Sequence, residues 1–114
     1  MSGFDEKKES LIGQVKNLGE LVNYQDDSVV SRMLVNAKAG TITLFAFDKG
    51  QRLSEHAAPF DAYVQVVEGE AQITISGSPL LVKSGEMVIM PANKPHAVDA
   101  QEKFKMLLVM IKSV

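Results

Sequence analysis

The sequence predicts an all-β fold, an antiparallel sandwich or small barrel, with a short helix in front of it. Two observations carry this prediction. From residue 20 onward, apolar and polar side chains alternate with the period of two that is typical of strands. Turn-forming residues also recur at intervals of roughly 8–12 residues, as they do between short antiparallel strands. The chain has 114 residues, which is the size of one domain.

The N-terminal segment has helical periodicity instead. Leu11, Ile12, Val15 and Leu18 follow the i, i+1, i+4, i+7 spacing of one helical face. The following Gly19 supplies a typical C-terminal stop. We therefore expect a helix and lead-in over residues 1–19 and the barrel domain over residues 20–114.

Three segments show the strand period most clearly. In "TITLFAFD", Leu44 and Ala46 lie on one face, and Phe45 and Phe47 on the other; "AQITIS" alternates in the same way. In "FKMLLVMIK" both faces are apolar, so we expect both to be covered. Turn signals separate the strands, and glycine or proline marks each of them: Asp48-Lys49-Gly50, Glu68-Gly69-Glu70, Ser76-Gly77-Ser78, Lys83-Ser84-Gly85 and Pro91-Ala92-Asn93.

Composition excludes several classes of function. The net charge of −2 is too small and too negative to favour nucleic acid or an anionic membrane. The chain has no cysteine, which rules out disulfides, thiolate metal sites and a cysteine nucleophile. The N-terminus has no apolar signal core, and no apolar run is long enough to span a membrane. We expect a cytoplasmic protein.

The chain has two histidines, and each lies in a motif that begins with glycine. His56 follows Gly50, and His96 follows Gly85 with Pro91 between them. This pattern resembles the two conserved motifs of the cupin superfamily over roughly residues 30–112. The resemblance implies a jelly-roll barrel (a double-stranded β-helix) with the two motifs facing each other inside it, and it implies that homodimers are common.

The departures from the family pattern concern the metal site. Ala58 stands where the family has a second histidine, Ala62 where it has a glutamate, and Asn93 where it has a glycine. Of the residues that usually hold the metal, the resemblance leaves His56 and His96. Two imidazoles are an incomplete set for zinc or non-heme iron. We assign no cofactor. A divalent metal (Zn, Ni, Mn, Fe or Cu) remains one hypothesis, and a methionine thioether beside the two imidazoles would favour copper.

The two alanines make a small-molecule pocket the favoured interpretation. We expect a largely apolar lining with two polar groups: Phe45, Phe47, His56, Val64, Met90, His96, Phe104 and Met106. The histidines could bind a carboxylate or a hydroxyl, or one could act as a general base. No catalytic residue is identified.

Three hypotheses about function remain. The first is a cupin that binds a small organic ligand. The second is a metal-dependent enzyme of dioxygenase or isomerase type that uses His56, His96 and an unidentified ligand. The third is a dimeric scaffold module without a ligand. Apolar residues on the outward face of the last strand, Leu107, Val109 and Ile111, favour a homodimer, unless the N-terminal helix covers that face.

Overall fold

The computed structural model describes residues 11–112, and these residues form nine β-strands. The strands are β1 (Val29–Ala37), β2 (Gly40–Phe47), β3 (Arg52–His56), β4 (Asp61–Glu68), β5 (Glu70–Ile75), β6 (Ser78–Lys83), β7 (Met87–Met90), β8 (His96–Asp99) and β9 (Phe104–Ile111). Each predicted turn signal lies where one strand ends and the next begins, which is where glycine and proline are favoured.

The strands form two antiparallel sheets. One sheet has the order β1-β2-β9-β4-β7, and the other has the order β3-β8-β5-β6. All pairings are antiparallel, and neighbours such as β2 and β9 are far apart in the chain. This is the predicted jelly-roll barrel.

The core lies between the sheets and is built by the alternation that the sequence predicts. On β4, Ala62, Val64 and Val66 are buried, whereas Tyr63 and Gln65 between them are half-exposed. The centre of the core is aromatic. Phe47 on β2 pairs with Phe104 on β9, and their rings stack with centroids 4.6 Å apart. Both side chains are fully buried, and burial of each contributes roughly 1.5–3 kcal/mol.

The hairpin between β5 and β6 shows why glycine occurs at its turn. Ser76 and Gly77 have φ angles of 49° and 84°, so both central residues are left-handed. Two positive φ angles define the type I′ turn, whose twist matches that of the flanking strands. The turn signal at Ser76-Gly77-Ser78 therefore corresponds to a tight hairpin in which Ile75 pairs with Ser78.

The predicted N-terminal helix is wrong for the residues that the structure describes. Residues 11–17 have no helix, and the one helical element from residue 11 onward is a single 3-10 turn at Leu18–Glu20. Gly13 has a φ of 77°, which interrupts a right-handed helix, and Val15 is fully exposed. The rest of the prediction, residues 1–10, lies outside the described residues.

The N-terminal segment nevertheless covers part of the outer face of the five-stranded sheet. Besides the core between the two sheets, a second apolar cluster contains the buried residues Val22, Leu44 and Ala46. Leu107 of β9 packs against this cluster. Lys105 fixes the segment, because its buried Nζ donates a hydrogen bond to the carbonyl of Gly19. One part of the predicted apolar outer face is therefore covered within the chain.

No helix among residues 11–112 is long and apolar enough to cross a membrane.

Candidate functional site

The two histidines are direct neighbours across adjacent strands. His56 is the last residue of β3 and His96 is the first residue of β8, and the two are paired in the register of these strands. The register also pairs Leu53 with Val98, and a bulge lies between Leu53 and His56. The bulge adds one residue to β3, so Leu53 and His56 face the barrel interior although an odd number of steps separates them.

The imidazole rings meet edge to face. Their Nε2 atoms lie 3.2 Å apart, and their centroids are 4.4 Å apart with an interplanar angle of 72°. The Nδ1 of His56 lies 3.0 Å from the carbonyl oxygen of Ser54, which is in the bulge. The Nδ1 of His96 lies 3.3 Å from the carbonyl oxygen of Lys94. A carbonyl can only accept, so a hydrogen on each Nδ1 would satisfy both of these contacts and leave a bare Nε2 on each neutral ring. A hydrogen on one Nε2 would instead make the contact between the two Nε2 atoms a hydrogen bond, and the tautomer decides between the two arrangements.

The loop before His96 is fixed to the loop after His56. Pro91 ends β7, as predicted, because proline has no N–H to donate. Asn93 has a φ of 66°, the left-handed conformation that asparagine tolerates where the family has glycine. The N–H of Asn93 donates to the carbonyl of Ala58 over 2.7 Å, and the N–H of Ala92 donates to Oδ1 of Asp61 over 2.9 Å. These bonds hold the two histidine-bearing segments together.

A cavity of about 160 Å³ opens beside the histidine pair. Its wall is apolar except for the two imidazoles: Leu53, His56, Ala58, Ala62, Met90, His96, Val98, Met106, Leu108 and Met110. His56 is exposed, whereas His96 is 5% exposed. His56 therefore lies on the solvent side of the site, and His96 lies on its interior side.

Four of the eight expected pocket residues line this cavity: His56, Met90, His96 and Met106. The other four do not. Phe47, Val64 and Phe104 are fully buried in the core cluster, and Phe45 packs against that cluster. For Phe47 and Phe104 the reason is position along the strands. They pair at one end of β2 and β9, and the cavity wall begins with Met106, two residues or roughly 7 Å farther along β9, and extends to Met110.

Six lining residues were not in the expected lining: Leu53, Ala58, Ala62, Val98, Leu108 and Met110. Signals for four of them were present in the sequence. Ala58 and Ala62 occupy the positions at which the resembled family has a metal-binding histidine and glutamate. Leu108 and Met110 share the inward face with Met106. Leu53 depends on the β3 bulge, for which the sequence gives no signal.

Burial lowers the pKa of His96 from its ordinary value of 6.5, and the neighbouring charge of His56 lowers it further. A weaker opposing effect comes from the hydrogen bond to Lys94. The low pKa keeps the interior imidazole neutral at neutral pH.

The described residues do not form a complete metal site. Two Zn–N bonds of about 2.0–2.1 Å at a tetrahedral angle place the two nitrogens roughly 3.3 Å apart, so the 3.2 Å separation of the Nε2 atoms fits two ligand positions. However, no group of three or more histidine, cysteine, aspartate or glutamate side chains comes together within residues 11–112. The cavity wall has Ala58 and Ala62 where further ligands would lie.

Comparisons with known proteins agree on one fold. The family model described as "Cupin domain" matches residues 43–112. A conserved protein of unknown function from Streptococcus pyogenes is 40% identical, with a TM-score of 0.85 and 90% of each chain covered. A cupin 2 conserved barrel domain protein from Leptotrichia buccalis is 45% identical, with a TM-score of 0.83 over 85% of this chain. The present chain covers 47% of that protein's length.

A third solved structure is a cupin superfamily protein from Desulfitobacterium hafniense. It is 28% identical, with a TM-score of 0.81 over 84% of this chain and 88% of that chain. No protein with a curated description matches the chain significantly.

Proposed function

The chain belongs to the cupin family, and from this premise we propose that its barrel binds a small, largely apolar organic ligand in the cavity beside His56 and His96. One observation carries the proposal: the cavity wall has eight apolar side chains and two imidazoles that converge. Mostly apolar cavities with a few convergent polar groups are the usual form of small-molecule sites. The missing carboxylate and third histidine favour an organic ligand over a resident metal.

The size of the cavity limits the ligand. At about 160 Å³ it is close to the engineered apolar cavity of roughly 150 Å³ that binds benzene. A single six-membered ring, or a chain of similar volume, therefore fits. Leu53, Val98 and Leu108 would contact its apolar part, and the imidazoles would contact its polar group.

A thermal-shift screen of chelator-treated protein tests this proposal. Compounds of one ring or fewer should raise the melting temperature, because a ligand that binds only the folded state stabilises it. The Ala62→Leu variant should lose these shifts, since Ala62 lies in the cavity wall and leucine would fill the space. A complete absence of shifts in the original protein, at millimolar compound, would overturn the proposal.

The second candidate is a metal-dependent enzyme that uses His56 and His96 with a ligand not yet identified. The 3.2 Å separation of the two Nε2 atoms and the anchored Nδ1 atoms favour it, because a metal-binding histidine usually donates its other N–H to a carbonyl or carboxylate. A bound divalent metal would act as a Lewis acid. Copurified metal near one per chain would favour this candidate over the first.

The third candidate is a dimeric scaffold without a ligand, and a second copy of the chain is the partner that we propose. An apolar row crosses the outer face of the five-stranded sheet from Ile89 through Tyr63, Val109 and Ile42 to Val35. Ile89 is 56% exposed and Val35 is 44% exposed. The row has no charged residue, and a self-complementary patch is what a two-fold dimer needs.

Light scattering at micromolar concentration tests the dimer. We expect twice the mass of the chain, and we expect Ile89→Lys to reduce the mass to that of a monomer. A monomer in the original protein would contradict the dimer. We also propose a cytoplasmic location, with which the cysteine-free composition is compatible.

A further inference from the structure

The hydrogens on the histidine pair determine which polar group a ligand must bring. The Nδ1 atoms of His56 and His96 each face a backbone carbonyl, at 3.0 Å and 3.3 Å. A carbonyl accepts and never donates, so we assign the hydrogen of each neutral ring to Nδ1, and the 3.2 Å contact between the two Nε2 atoms then has no hydrogen of its own. In the neutral pair, both Nε2 atoms are then hydrogen-bond acceptors.

These two acceptors converge on one place. They lie 3.2 Å apart, on rings that both form part of the cavity wall. A single donor atom at hydrogen-bond distance can reach both nitrogens, and its hydrogen relieves the repulsion between two facing lone pairs. A ligand group that only accepts would add a third lone pair at the same place.

The rest of the wall argues against a charged ligand. The other eight lining residues are leucine, alanine, methionine and valine, and none carries a charge. An anion or an ammonium group in such a cavity would lose its hydration without an opposite charge to replace it. An uncharged donor avoids this cost.

We propose that the ligands of this cavity are neutral compounds with a single hydroxyl on an apolar ring or short chain, and that the hydroxyl donates to the paired Nε2 atoms of His56 and His96. This inference rests on the proposed ligand-binding function and specifies its ligand class. It decides between the hydroxyl and the carboxylate that the sequence left open.

Three compounds of similar size separate the alternatives by calorimetric titration of chelator-treated protein. Phenol donates a hydrogen bond, toluene has the same number of non-hydrogen atoms but no donor, and benzoate is an anion that only accepts. The titration is run at pH 8, which lies above the ordinary pKa of an imidazole and below that of a phenol. We expect phenol to bind on the order of 3- to 10-fold more tightly than toluene, the contribution of one net hydrogen bond, and benzoate to bind more weakly than both.

The outcomes are distinguishable. Equal affinities for phenol and toluene, or a preference for benzoate, would overturn the hydroxyl inference and leave the ligand-binding proposal standing. Absence of binding by all three compounds would overturn both.

Variants locate the effect on the histidine pair. In the double variant His56→Leu with His96→Leu, phenol should lose its advantage while toluene still binds. If the double variant does not fold, His56→Leu serves instead, because His56 is exposed, and it should reduce the advantage of phenol. Glu55→Ala is the matched control: Glu55 is exposed on the same strand and is absent from the cavity wall, so selectivity should not change.

A second measurement does not depend on ligand choice. Long-range 1H–15N NMR spectra at pH 8 distinguish protonated from bare ring nitrogens. We expect hydrogens on both Nδ1 atoms and bare Nε2 atoms in both rings. A hydrogen on either Nε2 in the neutral protein would overturn the inference.

Discussion

The Ala62→Leu substitution tests whether the cavity exists as an open space in the folded protein. Ala62 is buried at 4% exposure on β4, and it lies in the cavity wall between Met90 of β7 and Met110 of β9, with which it is paired. Leucine adds three carbon atoms at this position. The cavity of about 160 Å³ is large enough to hold them, because a space of roughly 150 Å³ holds the six carbons of benzene.

The expected effect is a gain in stability. Burial of three further carbons at about 0.8 kcal/mol each raises the unfolding free energy by up to ~2 kcal/mol. For a domain of this size that gain corresponds to a rise of about 8 °C in the melting temperature. An over-packed core would behave in the opposite way, with a loss of about 1–3 kcal/mol.

Urea denaturation and thermal melts measure the difference, and Ala71→Leu is the matched control. Ala71 is fully buried in the same core cluster but does not line the cavity, so leucine there should destabilise the protein by about 1–3 kcal/mol. If Ala62→Leu destabilises the protein as much as Ala71→Leu does, the site is closely packed and the cavity argument fails.

Three further predictions follow from positions around the barrel. Gly69→Ala should destabilise the protein by more than Gly77→Ala, for which we expect a loss of about 1 kcal/mol. Both glycines have a positive φ, which is unfavourable for alanine. At Gly69 a Cβ would also lie 2.7 Å from the carbonyl oxygen of Lys103, whereas a Cβ at Gly77 would face open space. Similar urea midpoints for the two variants would contradict this. Lowering the pH below 6.5 should reduce the unfolding free energy, because His96 has a lower pKa in the folded protein than in the unfolded chain, so protons bind preferentially to the unfolded chain. Above pH 6.5 His96 should make the unfolding free energy independent of pH. His96→Gln should weaken this dependence in urea titrations at pH 7.5 and pH 5, and an unchanged slope would refute the assignment. Burial and the hydrogen bond to Glu68 raise the pKa of Tyr24, so its contribution to stability should be complete below pH 10 and fall above it. The urea midpoint should therefore decrease above pH 10, and it should decrease less in Tyr24→Phe; an equal decrease in both proteins would refute this.

The alternation of side chains predicted which residues face the interior but not how far along a strand they lie. Ala62 and Val64 are both inward on β4, as expected from their spacing. Only Ala62 lines the cavity: both residues have a cavity-lining neighbour on β9, but on β7 the neighbour of Ala62, Met90, lines the cavity, whereas the neighbour of Val64, Val88, does not. Phe104 and Met106 share a face in the same way, and only Met106 lines the cavity. Depth depends on register between strands that are distant in the chain, and one sequence does not specify it.

Two local features also differ from what periodicity indicates. Leu11 to Leu18 have helical spacing, yet Gly13 is left-handed and residues 11–17 form no helix. The bulge between Leu53 and His56 changes the parity of β3 and thereby brings His56 inward with Leu53. Asn93 is the opposite case: it stands where the family has a glycine, and it has the left-handed conformation that asparagine tolerates.

The metal content of the protein, purified without a histidine tag, tests the central claim most directly. With Ala58 and Ala62 in place of a histidine and a glutamate, the histidine pair lacks the further ligands of a resident metal. We therefore expect elemental analysis to find much less than one metal ion per chain. The His56→Ala/His96→Ala variant should give the same low value. Near-stoichiometric metal in the original protein, lost in the double variant, would contradict the account and favour the metal-dependent enzyme.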